Sequence, residues 1–247
     1  VVSDPQRRFP IALPQLCLAG GESPATRDIP RIVSRDLDLS GYFDVLNPAS
    51  YIEAAGKCGD PSYSDWQMIR AQWLVRGTVT AQGPRMTVQL ALHDVPSQRV
   101  VFGKEYSGDV GDITKIAHKF ANEIMREITG EGGPFGSSIA FSGRIGRFKD
   151  LFVMDMDGSN IKQLTNDRGL SLSPNFNQSG DQLLYTSYRN RVPDLFIFDL
   201  VSGRSKQITK NASLEVGGAF VPGSNLILSS LTEDRDSDLV LFNQDGS

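Results

Sequence analysis

The side chains that could do chemistry are few, and each stands in a poor setting for it. His93 closes an alternating segment and His118 lies off an apolar helical stripe. No fixed nucleophile or orienting carboxylate is legible beside either, so both read as ordinary surface or half-buried residues and not as general bases. "DMDGSN" (Asp155–Asn160) alternates carboxylates as a hard cation would use them. It is too short for a calcium hand and lacks the closing Glu, whereas Asp and Gly are what a tight turn needs. "GGPFGSS" is glycine-rich but has no Lys-Ser/Thr of a phosphate loop, so it reads as a linker. The expectation is therefore no catalytic residue, no metal and no cofactor. Cys17 and Cys58 stand 41 residues apart, outside any metal or redox spacing. A disulfide in an oxidising compartment and two free, buried thiols both remain open.

Composition points the same way. The 247 residues are 39% apolar, enough for real cores, and the formal net charge of −4 comes with no cluster of Lys and Arg. That balance does not suit nucleic acid. Apolar runs have strand length, too short for a membrane helix, and "VVSDPQRR" carries no targeting pattern. A cytoplasmic protein and a processed secreted one fit equally well.

From Phe9 to Gly130 strand-like and helix-like patterns alternate. "FPIALPQLCLA" (Phe9–Ala19) predicts one apolar strand ending at Gly20 and Gly21. Ile29, Ile32, Val33 and Leu37 recur at helical spacing, and "YFDVLN" predicts a short strand. Ser64, followed by Gln67, resembles a capping box. "WLVRGTVTA", "RMTVQLALHD" and "RVVFGKEY" predict three strands, the first two joined at Gly83 and Pro84. A last helix carries Ile113, Ile116, Ala117, Phe120, Ala121, Ile124, Met125 and Ile128 on one stripe, with Gly130 as its stop. These elements form an α/β domain over residues 1–130, with a mixed sheet covered by helices. Residues 131–138 form a linker with nothing to anchor it to either side, and residues 139–247 are of another kind.

That last part repeats. "DLFVMDMDG" from Asp150, "DLFIFDLVS" from Asp194 and "DLVLFNQDG" from Asp238 stand 44 residues apart. Ile139, Leu183 and Ile227 keep the same interval, as do "QLT" (Gln163–Thr165) and "QIT" (Gln207–Thr209). The second copy reads as four short strands, "SLSPNF", "QLLYTSY", "DLFIFDL" and "SKQIT". Four antiparallel strands in such a period is the size of a β-propeller blade. The fold class expected is thus an α/β N-terminal domain followed by an incomplete all-β propeller, two blades and most of a third. Propellers use about four to eight blades. A closed ring then requires continuation beyond Ser247 or a second chain.

In a blade, the loop between the second and third strands and the loop entering the next blade emerge on one rim. Here that rim gathers Arg144, Arg147, Phe148, Arg168, Tyr188, Arg189 and Arg191, together with the hairpin of Glu233, Asp234 and Arg235. Arg and aromatic side chains suit a protein interface. A plain solvated rim is the alternative.

"LFVMDMDGSNIKQLTNDRGLSLSPNFNQSGDQLLYTSYRNRVPDLFIFDLVSGRSKQIT" resembles the propeller repeats of the TolB family of the bacterial Tol–Pal system. "FPIALP", "IPRIVSRDLDLSGYFDVLNPASY" and "WLVRGTV" are similar to that family's N-terminal α/β domain, in the right order. The resemblance implies a periplasmic, non-enzymatic scaffold serving envelope integrity and cell division. It also implies a six-bladed ring that binds the lipoprotein Pal, and an arm before the "PIA" strand, where "VVSDPQRR" stands, that contacts TolA. A second reading is the front part of a propeller-gated serine hydrolase; the G-x-S-x-G turn such an enzyme needs is absent from these residues.

Overall fold

The apolar run at the start forms two strands where the pattern predicts one: β1 (Phe9–Ala12) and β2 (Cys17–Gly20). In the computed structural model, which describes residues 8–210, 214–233 and 236–246, both pair in parallel with β4 (Trp73–Gln82), Ile11 opposite Trp73 and Cys17 opposite Thr78. Between them Pro14 has no N–H for a ladder, and the chain leaves the sheet there. Its neighbours bond elsewhere: the Leu13 N–H donates to Tyr51 Oη at 3.1 Å and the Leu16 N–H to the Thr26 carbonyl at 2.9 Å.

The sheet runs β3 (Phe43–Val45), β1, β4, β5 (Arg85–Asp94), β6 (Arg99–Asp109), with parallel pairing at the β1 end and antiparallel pairing beyond β4. Helices α1 (Ala25–Leu39) and α3 (Ile113–Thr129) pack on each other. The stripe read on α3 is the core: Ile116, Phe120 and Ile124 are buried with Ile29, Val33 and Leu37 of α1 and with Val88, Leu90 and Leu92 of β5. Gly130 ends α3 in the left-handed conformation, φ +85°. Leu74 leaves β4 on the side opposite Val75 and joins a second cluster with Ala12, Trp66, Ala71 and Val95.

Trp66 belongs to α2 (Tyr63–Met68), where the expected capping box is absent. The cap is Ser62, Ser64 lies in the first turn, and Gln67 Nε2 donates across to the Val95 carbonyl at 3.2 Å. Buried Glu53 holds this helix instead, accepting from Trp66 Nε1 at 3.3 Å and from the Ser62 N–H at 3.2 Å. A tertiary anchor has displaced the local one.

Between the two thiol readings, the structure forms the disulfide Cys17–Cys58. Nor does the glycine-rich segment hang unanchored. Phe135 is buried, and Asn122 of α3 clasps its backbone from both sides, Nδ2 to the carbonyl at 2.6 Å and Oδ1 from the N–H at 3.2 Å. Val1–Ser137 and Ser138–Ser247 are the two compact units.

The second unit is three antiparallel sheets. The middle one has four strands, β10 (Ser171–Phe176), β11 (Gln182–Ser187), β12 (Asp194–Asp199) and β13 (Arg204–Gln207), as the repeat predicts. Before it, β7 (Ser138–Ile145), β8 (Phe148–Asp155) and β9 (Lys162–Gln163) form three strands. The positions one period ahead of β10 are already used by the end of α3 and its glycines. After it come β14 (Leu214–Phe220), β15 (Leu226–Glu233) and β16 (Asp236–Asn243).

The period is written into two kinds of contact. Strands alternate faces, so the middle sheet meets Leu151 of the preceding one with Leu183, Tyr185, Phe196 and Phe198. It meets Ile227 of the following one with Leu184, Leu195 and Ile197. The equivalents of this second set on the third sheet, Leu228, Leu239 and Leu241, are exposed. The recurring "QLT" and "QIT" lock onto the recurring Asp. Thr165 Oγ1 donates to buried Asp150 at 3.0 Å and accepts from the Leu151 N–H at 2.9 Å. One period on, Thr209 Oγ1 accepts from the Leu195 N–H at 2.9 Å, and Gln207 Nε2 donates to Asp194 at 2.9 Å.

Candidate functional site

The two histidines are more buried than the sequence suggests. His118 Nδ1 lies 2.6 Å from Asp36 Oδ2, so an orienting carboxylate is present after all, supplied by α1 from 82 positions away. His93 Nδ1 is 2.9 Å from Tyr63 Oη. Its pKa is lowered, first by burial and then by the Arg76 charge, with Asp60 opposing. Among the described residues neither imidazole is hydrogen-bonded to a Ser, Thr or Cys.

The Asp-rich turn is occupied by its own backbone and neighbours. Asp157 Oδ1 accepts from the Ser159 N–H at 2.8 Å, Asp155 Oδ2 accepts from Asn160 Nδ2 at 2.6 Å, and Gly158 has φ +80°. These are the bonds of a tight turn.

What the repeat geometry does assemble is a rim of loops in the second unit. The β7–β8 turn, the segment entering β10 and the β11–β12 loop are clasped by two backbone bonds. The Lys149 N–H donates to the Gly169 carbonyl at 3.0 Å, and the Tyr188 N–H to the Leu170 carbonyl at 2.9 Å. This brings the loops of Arg144, Arg147, Phe148, Arg168, Tyr188, Arg189 and Arg191 to one end of the first two sheets. Arg144, Arg147, Arg168 and Arg191 are exposed, while Phe148 and Tyr188 are half-buried. Arg147 lies over the Phe148 ring at 5.0 Å, an arrangement that holds the guanidinium in place.

Arg189 differs from the rest. Its Nη2 is 2.7 Å from Asp167 Oδ2 and bonds Tyr185 Oη, and its guanidinium lies 4.1 Å from the Phe196 ring centroid. Its charge is thus largely spent on its own blade. The third hairpin pairs Glu233 with Asp236 in the ladder; Asp234, Arg235 and the side chain of Glu233 lie outside the described residues, as do residues 1–7 of the expected arm.

Two features of the rim are absent from the sequence reading. Asp167 is one; its signal is only its place two residues past "QLT". The other is one exposed apolar side chain per loop, Ile145, Leu170 and Val192. Each is an isolated apolar residue in a polar loop, a weak but readable mark. Arg168 and Arg191 also take left-handed backbone, φ +51° and +77°, where a side chain costs energy that glycine would not.

The amino-acid sequence matches the family model described as the TolB amino-terminal domain over residues 1–101, and the TolB beta propeller domain over residues 125–247. The Tol-Pal system protein TolB of Jannaschia sp. (strain CCS1) is 38% identical over 187 residues, 73% of this chain and 42% of that protein. That of Syntrophotalea carbinolica is 34% identical over 185 residues, 72% of this chain and 43% of that protein. The chain thus spans less than half the length of these curated relatives. The crystal structure of TolB from Acinetobacter baumannii superposes with a TM-score of 0.82 at 22% identity, over 97% of this chain and 59% of that one. At that identity the superposition speaks for the fold.

Proposed function

The chain belongs to the TolB family, and on that premise we propose that it is a non-enzymatic, protein-binding component of the Tol–Pal envelope system. It works in the periplasm, coupling the lipoprotein Pal to TolA. The Cys17–Cys58 disulfide agrees with an oxidising compartment. Among the described residues no helix is long and apolar enough to cross a membrane.

The observation that carries the reading is the rim clasped by Lys149–Gly169 and Leu170–Tyr188. It fixes three loops that hold out four exposed arginines and one exposed apolar residue each. Rigid loops with Arg anchors and little charge left to satisfy internally are suited to docking. Pal binds here through Arg144, Arg147, Phe148, Arg168, Tyr188 and Arg191. Glu233, Asp234 and Arg235 are included on sequence grounds, and residues 1–8, "VVSDPQRR", serve as the TolA-contacting arm.

Calorimetric titration with Pal tests it. The double variant Arg147→Ala, Arg191→Ala weakens binding by at least about tenfold, since each is a rim anchor and neither supports the fold. Unchanged affinity removes the rim from the Pal site.

A further inference from the structure

The rim of the first two sheets is basic although the chain as a whole carries −4. Residues 143–150, 166–171 and 188–194 hold six cations and three carboxylates, and all three carboxylates are engaged. Asp167 is paired with Arg189 at 2.7 Å. Asp150 and Asp194 are each 2% exposed; the first accepts from Thr165 Oγ1 and the Asp167 N–H, the second from Asn190 Nδ2 and Gln207 Nε2. Among the described residues the other five cations, Arg144, Arg147, Lys149, Arg168 and Arg191, form no ion pair.

Three observations say what chemistry would cover them. Arg144 and Lys149 stand directly opposite each other in the β7–β8 ladder, with Arg147 in the turn between. Like charges opposite one another cost a strand pair stability, and an anionic partner removes that cost. Second, Arg147 lies over the Phe148 ring, and a stacked guanidinium keeps its N–H donors in its edge, where a carboxylate can take two of them. Third, each loop adds an apolar side chain next to or two residues from an unpaired arginine: Ile145, Leu170 and Val192, exposed by 43%, 36% and 39%. A free anion has no use for them, and too little of each stands clear to enter acyl chains. Against a protein they complete a contact of mixed apolar and charged character. The basic character ends at the third sheet, where Asp236 and Asp238 of β16 are exposed.

We propose that this rim receives an acidic protein surface, whose Asp and Glu side chains seat on Arg144, Arg147, Lys149, Arg168 and Arg191, with Asp236 and Asp238 outside the contact. It rests on the rim being the docking face and adds the chemistry of what docks there. Complementary charge sets the on-rate and the register of docking, and the like-charged Asp236 and Asp238 turn an acidic surface toward the first two sheets.

The test is backbone-amide NMR on the full chain with two soluble peptides, one alternating Asp and Leu, the other Lys and Leu. At millimolar peptide and low salt the Asp peptide shifts the amides of residues 144–149, 168–170 and 188–192, and the Lys peptide does not. Raising NaCl from 50 to 500 mM weakens the Asp peptide at least about tenfold. Arg144→Gln with Arg147→Gln weakens it as much, while the urea midpoint holds or rises because the like-charge pair is gone. Asp236→Asn with Asp238→Asn leaves it unchanged or tighter. Equal shifts from both peptides, no shift from either, indifference to salt, or weakening by the Asp236 and Asp238 variants overturns the proposal. So does sedimentation of the protein with phosphatidylglycerol vesicles that the Arg144 and Arg147 variants abolish, because the rim then reads a membrane. Pal titrated at the same two salt concentrations separates the two readings. Pal bound equally at both, with rim amides shifted, leaves the proposed function standing and removes the acidic surface; an Asp peptide that binds where Pal does not keeps the acidic surface and removes Pal.

Discussion

Arg189 Nη2 lies 2.7 Å from Asp167 Oδ2 while its guanidinium stacks 4.1 Å from the Phe196 centroid. The residue joins the loop after "QLT" to strand β12 of its own sheet. Arg189→Ala is therefore expected to act on stability, costing about 1–2 kcal/mol in urea unfolding, with Pal affinity unchanged at temperatures where the variant is folded. Arg189→Lys does not restore it, because an ammonium lacks the planar fork. A loss of affinity without loss of stability contradicts this assignment.

Thr165 serves as both donor and acceptor between Asp150 and the Leu151 N–H. Thr165→Val keeps the shape and removes both bonds, leaving a buried carboxylate short of a donor. The expected cost is about 1–3 kcal/mol, read from the urea midpoint. A change below about 0.5 kcal/mol, the range of ordinary surface substitutions, counts against the lock.

The disulfide closes a loop of 41 residues. Replacing both cysteines by Ser is expected to cost about 4 kcal/mol by chain entropy, and thiol titration of the unreduced, denatured protein finds no free thiol. Two reactive thiols in material purified from an oxidising compartment would show that the bond does not form.

Burial pushes the Tyr185 hydroxyl up to about 12, against opposing bonds from Ser205 and Arg189, and burial and the Glu123 charge push Tyr106 up to about 12. Both folded values exceed the ordinary value near 10, so on raising the pH the unfolded chain loses these protons first. The stability they contribute is whole below about pH 10 and is lost as the pH rises through about 12. In a phenolate absorbance titration these two ionise only as the far-ultraviolet circular dichroism collapses; Tyr106→Phe and Tyr185→Phe each delete one late step. Complete ionisation near pH 10 with the fold intact is the contrary result.

Arg168 and Arg191 hold left-handed backbone. Arg168→Gly and Arg191→Gly are expected to keep or raise the thermal midpoint while weakening Pal binding, the trade of stability for function that strained positions show. A drop in midpoint with affinity unchanged means the side chains serve the fold.

Legibility followed the range of the interaction. The α3 stripe and the β4–β5–β6 meander are local periodicities, and their strands and helix lie where the pattern predicts. The 44-residue interval was readable because each copy repeats its own packing and its own Asp lock. His118–Asp36, Glu53–Trp66 and Cys17–Cys58 were not, since each joins segments that only the folded sheet brings together. On the rim, residue types were readable but not their allegiance: Arg189 and Arg191 look alike in "YRNRVP", and only the position of the Phe196 ring separates them.

The two faces of the middle sheet are not alike: one presents Leu183, Tyr185, Phe196 and Phe198, the other Leu184, Leu195 and Ile197. Stacking is therefore vectorial, each sheet having a head and a tail that cannot be exchanged. A whole period duplicated in the gene would join head to tail at both new junctions without inventing a surface. A duplication of half a period would bring like against like, so the unit in which this part of the chain can lengthen or shorten is set by packing.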